Sequence, residues 1–249
     1  ADAAALLAVM AREFPGDPFH APPPSTGFLA AARAPVGTLR IGLLTEPIIA
    51  DVPIDPESVT AAEQTAKWLE ELGHEVVPIN RPFGPDLVAQ FEAVWHTLAL
   101  LTPVMPDDEA RLQPLTRHLR DLGREVTGIQ LAMAVSLLRI QTRATLAAWA
   151  GFDAVVMPTV NGVAPLVEDI VDRADPARDF ENQKRWAAFT AAFNMTGQPA
   201  ISVPMHWTEE GLPIGVMLVG KMFGEETLIG LAAQLEQAHP WSDRKPEVW

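Results

Sequence analysis

The chain has 249 residues, of which 48% are hydrophobic and 20% are charged, and its formal net charge at pH 7 is -14. Such proportions are typical of a folded globular protein and argue against intrinsic disorder. The excess of acidic residues repels phosphate backbones, so nucleic acid is not an expected partner.

The sequence carries no sign of membrane insertion or of oxidative cross-linking. No apolar run approaches the roughly 20 residues that span a bilayer, and no signal-peptide pattern stands at the start. The absence of cysteine excludes disulfides and thiolate metal sites. It favours a reducing compartment, so the expected location is cytoplasmic.

The first 37 residues divide into two predicted segments. Residues 1–12 are rich in Ala and Leu without a helix start signal, which predicts a helix that continues from preceding sequence. Residues 13–37 contain six prolines, which deny regular backbone hydrogen bonding and predict a linker loop. Residues 38–249 are then the α/β body of a single domain.

A β-α-β unit is predicted next. Residues 39–44 form an apolar strand, and Asp55 with Pro56 begins a helix as N-cap and first helical residue. Gly73 ends that helix, and residues 74–79 form a second strand. The two strands are expected to be parallel, with a right-handed crossover.

The remaining elements complete an α/β pattern. Helices are predicted over residues 86–101, 107–122, 126–150 and 179–195, the last capped by Asp179, and a final helix turns Leu228, Leu231 and Leu235 inward. Strands are predicted over residues 152–157, 200–203 and 214–219. The first of these three is continuously apolar and is expected to be buried on both faces.

The predicted helix over residues 179–195 offers one candidate binding surface. At 100° per residue, Lys184, Ala187 and Ala191 share one side, together with Ala188. The opposite side is aromatic, with Trp186, Phe189 and Phe193. The small-residue side either packs closely against another helix or borders a substrate cavity.

A second candidate is the loop that follows Met157. Thr159 and Asn161 lie at the carboxyl end of a strand, where ligands commonly bind in α/β sheets. The alternative is an ordinary turn from strand to loop.

No catalytic or metal-binding motif is found. None of the five serines lies in a Gly-X-Ser-X-Gly elbow, no two are adjacent, and Ser202 on an apolar strand is interpreted as structural. The sequence alone does not decide whether Lys184 or Lys221 meets a serine in space. The six histidines lack ligand spacing and no strand precedes a Gly-rich phosphate loop, so neither metal nor cofactor is expected.

Several segments of the sequence, taken together with their order along the chain, resemble a known family. The apolar strand ending in Pro-Thr is followed by NMTGQPAISVP, GLPIGVMLVG and EETLIGLAAQLE. This order resembles the C-terminal half of the amidase signature family, whose members hydrolyse amide bonds. Residues 1–10, 40–79 and 122–146 are also similar to segments of that family, so the resemblance covers nearly the whole chain.

The resemblance implies a fold, and it implies which functional groups lie inside and outside this sequence. The expected fold is the C-terminal part of an α/β/α sandwich around a mixed sheet. The family's Ser–Ser–Lys relay would lie upstream of residue 1, since this sequence lacks a Gly-Gly-Ser-Ser-Gly-Gly-like run. The chain would then contribute one wall of the acyl pocket, with Lys184, Ala187 and Ala191 as pocket positions and the Thr159–Asn161 loop near the site.

The resemblance also implies what this chain would bind. The expected substrate is a small amide, and an N-terminal half of the same enzyme or a second copy of the chain would cover the exposed apolar surface. The isolated chain is predicted to hydrolyse no amide or ester.

Two other interpretations stay open. One is a fragment of a glutamine amidotransferase A-type subunit, although residues 125–129 lack the basic side chains expected there. The other is a non-catalytic binding module, for which a complete sheet without an apolar edge would be evidence.

Overall fold

The computed structural model of the protein describes residues 1–84 and 87–245. In this part of the chain, five strands form one sheet in the order β2-β1-β3-β5-β4. The strands are β1 (Arg40–Leu43), β2 (Glu75–Pro78), β3 (Ala154–Pro158), β4 (Ala200–Trp207) and β5 (Pro213–Gly220). The helices are α1 (Asp2–Met10), α2 (Phe28–Ala31), α3 (Pro56–Glu71), α4 (Leu87–Leu98), α5 (Pro114–Glu125), α6 (Gly128–Ala148), α7 (Val167–Ile170), α8 (Pro176–Trp186), α9 (Ala191–Thr196) and α10 (Glu225–Ala238).

The sheet is mixed, as expected. Strands β2, β1 and β3 run parallel, whereas β5 is antiparallel to both β3 and β4. The predicted β-α-β unit is confirmed, because α3 connects β1 to its parallel neighbour β2. The carboxylate of Asp55 caps α3 by accepting a hydrogen bond from the Glu57 backbone N–H at 2.9 Å, with Pro56 in the first turn.

Helices cover both faces of the sheet and give an α/β/α sandwich. On one face, Leu69 of α3 and Leu231 and Leu235 of α10 are buried against the strands. On the other face, Leu87 of α4 and Phe193 of α9 lie in a second core. Strand β3 is buried along its whole length between the two cores, as its continuous apolar sequence predicts.

Two of the predicted helices in the middle of the chain have different bounds. The prediction of one helix over residues 107–122 is wrong: a 3-10 helix over Pro106–Arg111 is followed by α5. Gln113 precedes a proline and is extended, because a residue before proline avoids the helical conformation. The predicted start at Asp86 lies outside the described residues, and α4 covers Leu87–Leu98.

The predicted continuous helix over residues 179–195 is also wrong. Helix α8 begins after Asp175, whose side chain accepts from the Arg178 backbone N–H, and ends at Trp186. A turn over residues 187–190 separates it from α9. In that turn the Ala188 carbonyl accepts hydrogen bonds from two backbone N–H groups of another segment, those of Ile48 and Ile49. These tertiary bonds replace intrahelical ones.

Because the helix is broken, its residues do not form the aromatic side and the small-residue side that were predicted for one continuous helix. Ala188 is fully buried in the same core as Phe189, rather than on an opposite surface. Ala187, the first residue of the turn, and Ala191, the first residue of α9, are half-buried.

The proline-rich segment is fixed to the body through α10. The Glu226 carboxylate accepts hydrogen bonds from the backbone N–H groups of Ser25, Thr26 and Gly27 and from the Ser25 and Thr26 hydroxyls, at 2.7–2.9 Å. Burial of Glu226 opposes ionisation, but these hydrogen bonds outweigh burial and lower its pKa to about 2.

We expect Glu226→Gln to destabilise the protein by about 1 kcal/mol, because an amide presents a donor to groups that are themselves donors. The depressed pKa means that the stabilisation is present above the ordinary carboxyl pKa and is lost as the pH falls toward 2. Urea denaturation from pH 7 to pH 2 should therefore show the wild type converging on the variant. The matched control is Glu225→Gln, and an equal effect of both variants at every pH would contradict the assignment.

Candidate functional site

The carboxyl end of β3 lies beside β5 and β4 and carries the first candidate residue. The Thr159 backbone N–H donates to the Gly215 carbonyl at 3.1 Å, which extends the pairing of β3 with β5. The Thr159 hydroxyl forms a hydrogen bond with the hydroxyl of Ser202 on β4, with the two oxygens 2.7 Å apart. Thr159 is half-buried and Ser202 is exposed.

Gly215 makes room for this pair. A Cβ atom built at Gly215 would lie 2.7 Å from the Ser202 hydroxyl oxygen and 3.0 Å from that of Thr159. Any side chain at this position would therefore push the two hydroxyls apart. The absence of a side chain on β5 brings together residues that are 43 positions apart in sequence.

Asn161 connects the loop to two helix ends. Its side-chain oxygen and its backbone carbonyl each accept from the Asp55 backbone N–H at 3.0 Å, beside the start of α3. Its backbone N–H donates to the Trp186 carbonyl at 2.9 Å, and its side-chain amide donates to the Arg185 carbonyl at 3.4 Å. The Asn161 side chain therefore positions the loop against α3 and α8.

Lys184 lies apart from the loop and is paired. Its ammonium donates to the Glu92 and Glu181 carboxylates at 2.5 Å, and its side chain is 13% exposed. Burial lowers the pKa of Lys184, but the hydrogen bonds that its ammonium donates to Glu181 and Glu92 outweigh burial and raise the pKa. Lys184 is thus a protonated, paired cation at neutral pH, which does not suit the role of a base.

The structure brings the candidate residues together only in part. Thr159 and Asn161 share one loop, and Asn161 contacts the end of α8 immediately before Ala187. Lys184 is held instead by Glu92 of α4. Sequence reasoning missed Ser202 as a neighbour of Thr159, since the only available signal was a hydroxyl on an otherwise apolar strand.

Two buried ring nitrogens near these residues have no hydrogen-bond partner among the described residues: Nε1 of Trp186 and Nε2 of His96. His96 is one turn after Glu92 on α4. Burial, His118 and Lys184 lower the pKa of His96, while Glu92 raises it, and the net direction is downward. His96 is therefore neutral at pH 7.

Two groups of apolar side chains are exposed, one on α6 and one on α1. On α6, Ile129, Met133 and Ile140 are 76%, 60% and 66% exposed. Helix α1 exposes Leu6 and Met10, which line an apolar groove of about 290 Å³ together with the first residues of β4. Strand β4 is itself an edge strand.

Metal ligands and membrane helices are both lacking in the described part of the chain. Within residues 1–84 and 87–245, no three His, Asp or Glu side chains are grouped closely enough to hold a metal ion. Among the helices of the same residues, none has the length and apolar character needed to cross a bilayer.

Comparison with known proteins places this geometry in a family. A family model described as Amidase matches residues 1–229. The 6-aminohexanoate-cyclic-dimer hydrolase of Pseudomonas sp. (strain NK87) is 32% identical, with a match that covers 99% of this chain and 53% of that protein. The chain thus spans about half the length of the curated relatives it matches.

Solved structures give the same result. A structure of 6-aminohexanoate cyclic dimer hydrolase superposes with a TM-score of 0.84 at 30% identity, covering 99% of this chain and 55% of the other. A bacterial aryl acylamidase of the amidase signature family shares the fold with a TM-score of 0.78 at 20% identity, covering 98% and 52%. The sequence match over residues 1–229 and the shared sandwich together show that this chain belongs to the amidase signature family.

Proposed function

We propose that this chain is the substrate-side half of an amide hydrolase. The observation that carries the proposal is the end-to-end similarity, in sequence and in structure, to 6-aminohexanoate-cyclic-dimer hydrolase. A cyclic dimer of an amino acid is closed by two amide bonds separated by methylene chains. The substrates proposed here are therefore small amides with aliphatic acyl chains.

The nucleophile and its base are proposed to come from outside this chain. Amide hydrolysis by a serine requires a base within hydrogen-bond reach of the hydroxyl. Lys184 is bound by two carboxylates, and the Lys221 ammonium donates to Asp153 at 2.8 Å. Among the described residues, no lysine forms a hydrogen bond with Ser202 or Thr159, which is consistent with a Ser–Ser–Lys relay located elsewhere in the complete enzyme.

The candidate residues are proposed to have different roles in the pocket wall. Thr159 would face the acyl group from the strand ends, and Asn161 would fix the loop that carries it. Ala187 and Ala191 would leave space at the two ends of the connection between α8 and α9. Lys184 would support that wall through its bonds to α4 instead of reacting.

The uncovered apolar surface supports the presence of a companion. The groove beside α1 adjoins the first residues of the edge strand β4, and α6 exposes an apolar stripe of its own. We infer that an N-terminal half of the enzyme covers these surfaces. An exposed sheet edge of this kind weighs against a self-contained binding module, and a cytoplasmic location remains a prediction.

The isolated chain should not hydrolyse amides, whereas the chain co-expressed with an N-terminal half of the enzyme should. The measurement is release of amine from a panel of aliphatic and aryl amides, compared with the buffer blank. A companion with its nucleophilic serine changed to alanine is the control. Turnover by the isolated chain that disappears in Ser136→Ala or Ser202→Ala would contradict the proposal.

In the complete enzyme, Ala187→Trp should shift the preference toward shorter acyl chains, because the indole fills space beside the Thr159–Asn161 loop. The measurement is kcat/KM for a series of amides of increasing acyl length. Ala177→Trp, at an exposed position on α8, is the matched control. An unchanged length preference with a sharply lower melting temperature would identify ordinary packing, whose overfilling costs about 1–3 kcal/mol.

The isolated chain should also bind a hydrophobic dye or self-associate, and both should diminish when the N-terminal half is present. Dye titration and small-angle scattering measure these properties. A double variant with Ile129→Lys and Ile140→Lys should bind less dye, because it places charge on the exposed α6 stripe. A compact monomer that binds no dye would favour the self-contained module.

A further inference from the structure

The Ser202–Thr159 hydroxyl pair lies at the carboxyl end of β3, and the proposed function assigns no role to Ser202 or to the bond between the two hydroxyls. The pair joins the edge strand β4 to the loop after β3 across Gly215. Ser202 stands opposite Met217 in the strand register, and Pro204 stands opposite Gly215, so the hydroxyls lie on the same face as neighbours of low polarity. Ser202 is exposed although Met217 is buried.

The hydrogen-bonding capacity of the pair is only partly used. Each hydroxyl carries one proton and two acceptor lone pairs. The bond between the two oxygens consumes one proton and one lone pair. Among the described residues, neither hydroxyl makes a second side-chain hydrogen bond, so the pair keeps one donor and several acceptor positions for another group.

A neutral group with both a donor and an acceptor matches this capacity. A secondary amide presents an acceptor carbonyl and a donor N–H, which can meet the free hydroxyl proton and a free lone pair. A carboxylate presents acceptors only, so it would use the one free proton of the pair and none of its free lone pairs. The net charge of -14 also disfavours an anionic ligand.

We propose that the Ser202–Thr159 pair binds a second amide group of the substrate, one that is not cleaved. The preferred substrates are then bis-amides, linear or cyclic, in which one amide is hydrolysed and the other is held by the hydroxyl pair. This inference rests on the proposed function, because it assumes that the substrate lies against the strand ends. It adds a substrate class and two binding residues.

The test compares two substrates of equal length in the complete enzyme. One is a linear bis-amide, and the other replaces its distal amide by two methylene groups. Ser202→Ala and Thr159→Val should each raise KM for the bis-amide by about 3- to 10-fold, the loss expected for one neutral hydrogen bond, with little change in kcat. KM for the mono-amide should rise less, because that substrate has no distal amide for the pair to bind.

Three further variants separate binding from structure. Thr159→Ser keeps the hydroxyl and should preserve the preference for the bis-amide. The double variant should cost about as much as either single one, since the pair acts as a unit. Ser136→Ala removes an exposed hydroxyl that donates to its own helix at 2.8 Å, and it should have no effect on either substrate.

Equal effects of Ser202→Ala on both substrates, or no effect on either, would overturn the inference while leaving the amidase proposal intact. If the complete enzyme hydrolyses neither substrate, the proposed function fails. Calorimetric titration of the bis-amide into wild type and Ser202→Ala then decides the inference alone. Weaker binding by the variant supports it, and equal or undetectable binding to both overturns it.

Discussion

The pairing of β3 with a parallel strand on one side and an antiparallel strand on the other determines the architecture of this chain. β3 is buried between both cores, so its position is fixed by backbone hydrogen bonds and by packing on two faces. Its carboxyl end consequently delivers Thr159 beside Gly215 and Ser202, and the following loop delivers Asn161 to the ends of α3 and α8. The candidate site is thus a direct product of the switch from parallel to antiparallel pairing.

Polar contacts between distant segments hold the periphery to this frame. Arg120 is 5% exposed, forms an ion pair with Glu109 and donates to the carbonyls of Ala99 and Thr102. Hydrogen bonds from Arg120 and Arg124 lower the pKa of Glu109 to about 2. Glu226 plays the same part for the proline-rich segment. Both carboxylates hold irregular segments to the body of the protein through hydrogen bonds.

Sequence reasoning succeeded where local chemistry decides the structure. The Asp55-Pro56 start of α3, the apolar run of β3 and the leucines of α10 all predicted the observed elements, because capping and periodicity depend on near neighbours. It failed at the turn between α8 and α9. There the Ala188 carbonyl accepts hydrogen bonds from the backbone N–H groups of Ile48 and Ile49, about 140 positions away in sequence. No periodic pattern in the sequence reveals such a contact. The start of α8 after Asp175 could have been predicted from the sequence, since Pro176 follows as the first helical residue.

The site was predicted less completely than the fold for the same reason. Thr159 and Asn161 follow from the rule that ligands bind at strand ends, but the partnership of Thr159 with Ser202 depends on strand register and on a missing side chain at Gly215. Likewise, a helical projection places Lys184 on the same side as the small residues Ala187 and Ala191. In the structure, however, its ammonium is bound by Glu92 on another helix. Such contacts require the three-dimensional arrangement of four separate elements.

The most direct test of the substrate-side assignment is a crystal structure of the complete enzyme, with its nucleophile replaced, bound to an uncleaved aliphatic amide. The acyl portion should lie against the carboxyl end of β3, within van der Waals contact of Thr159 and Ala187. An amide bound wholly within the other half of the enzyme, without contact to the end of β3, would contradict the assignment.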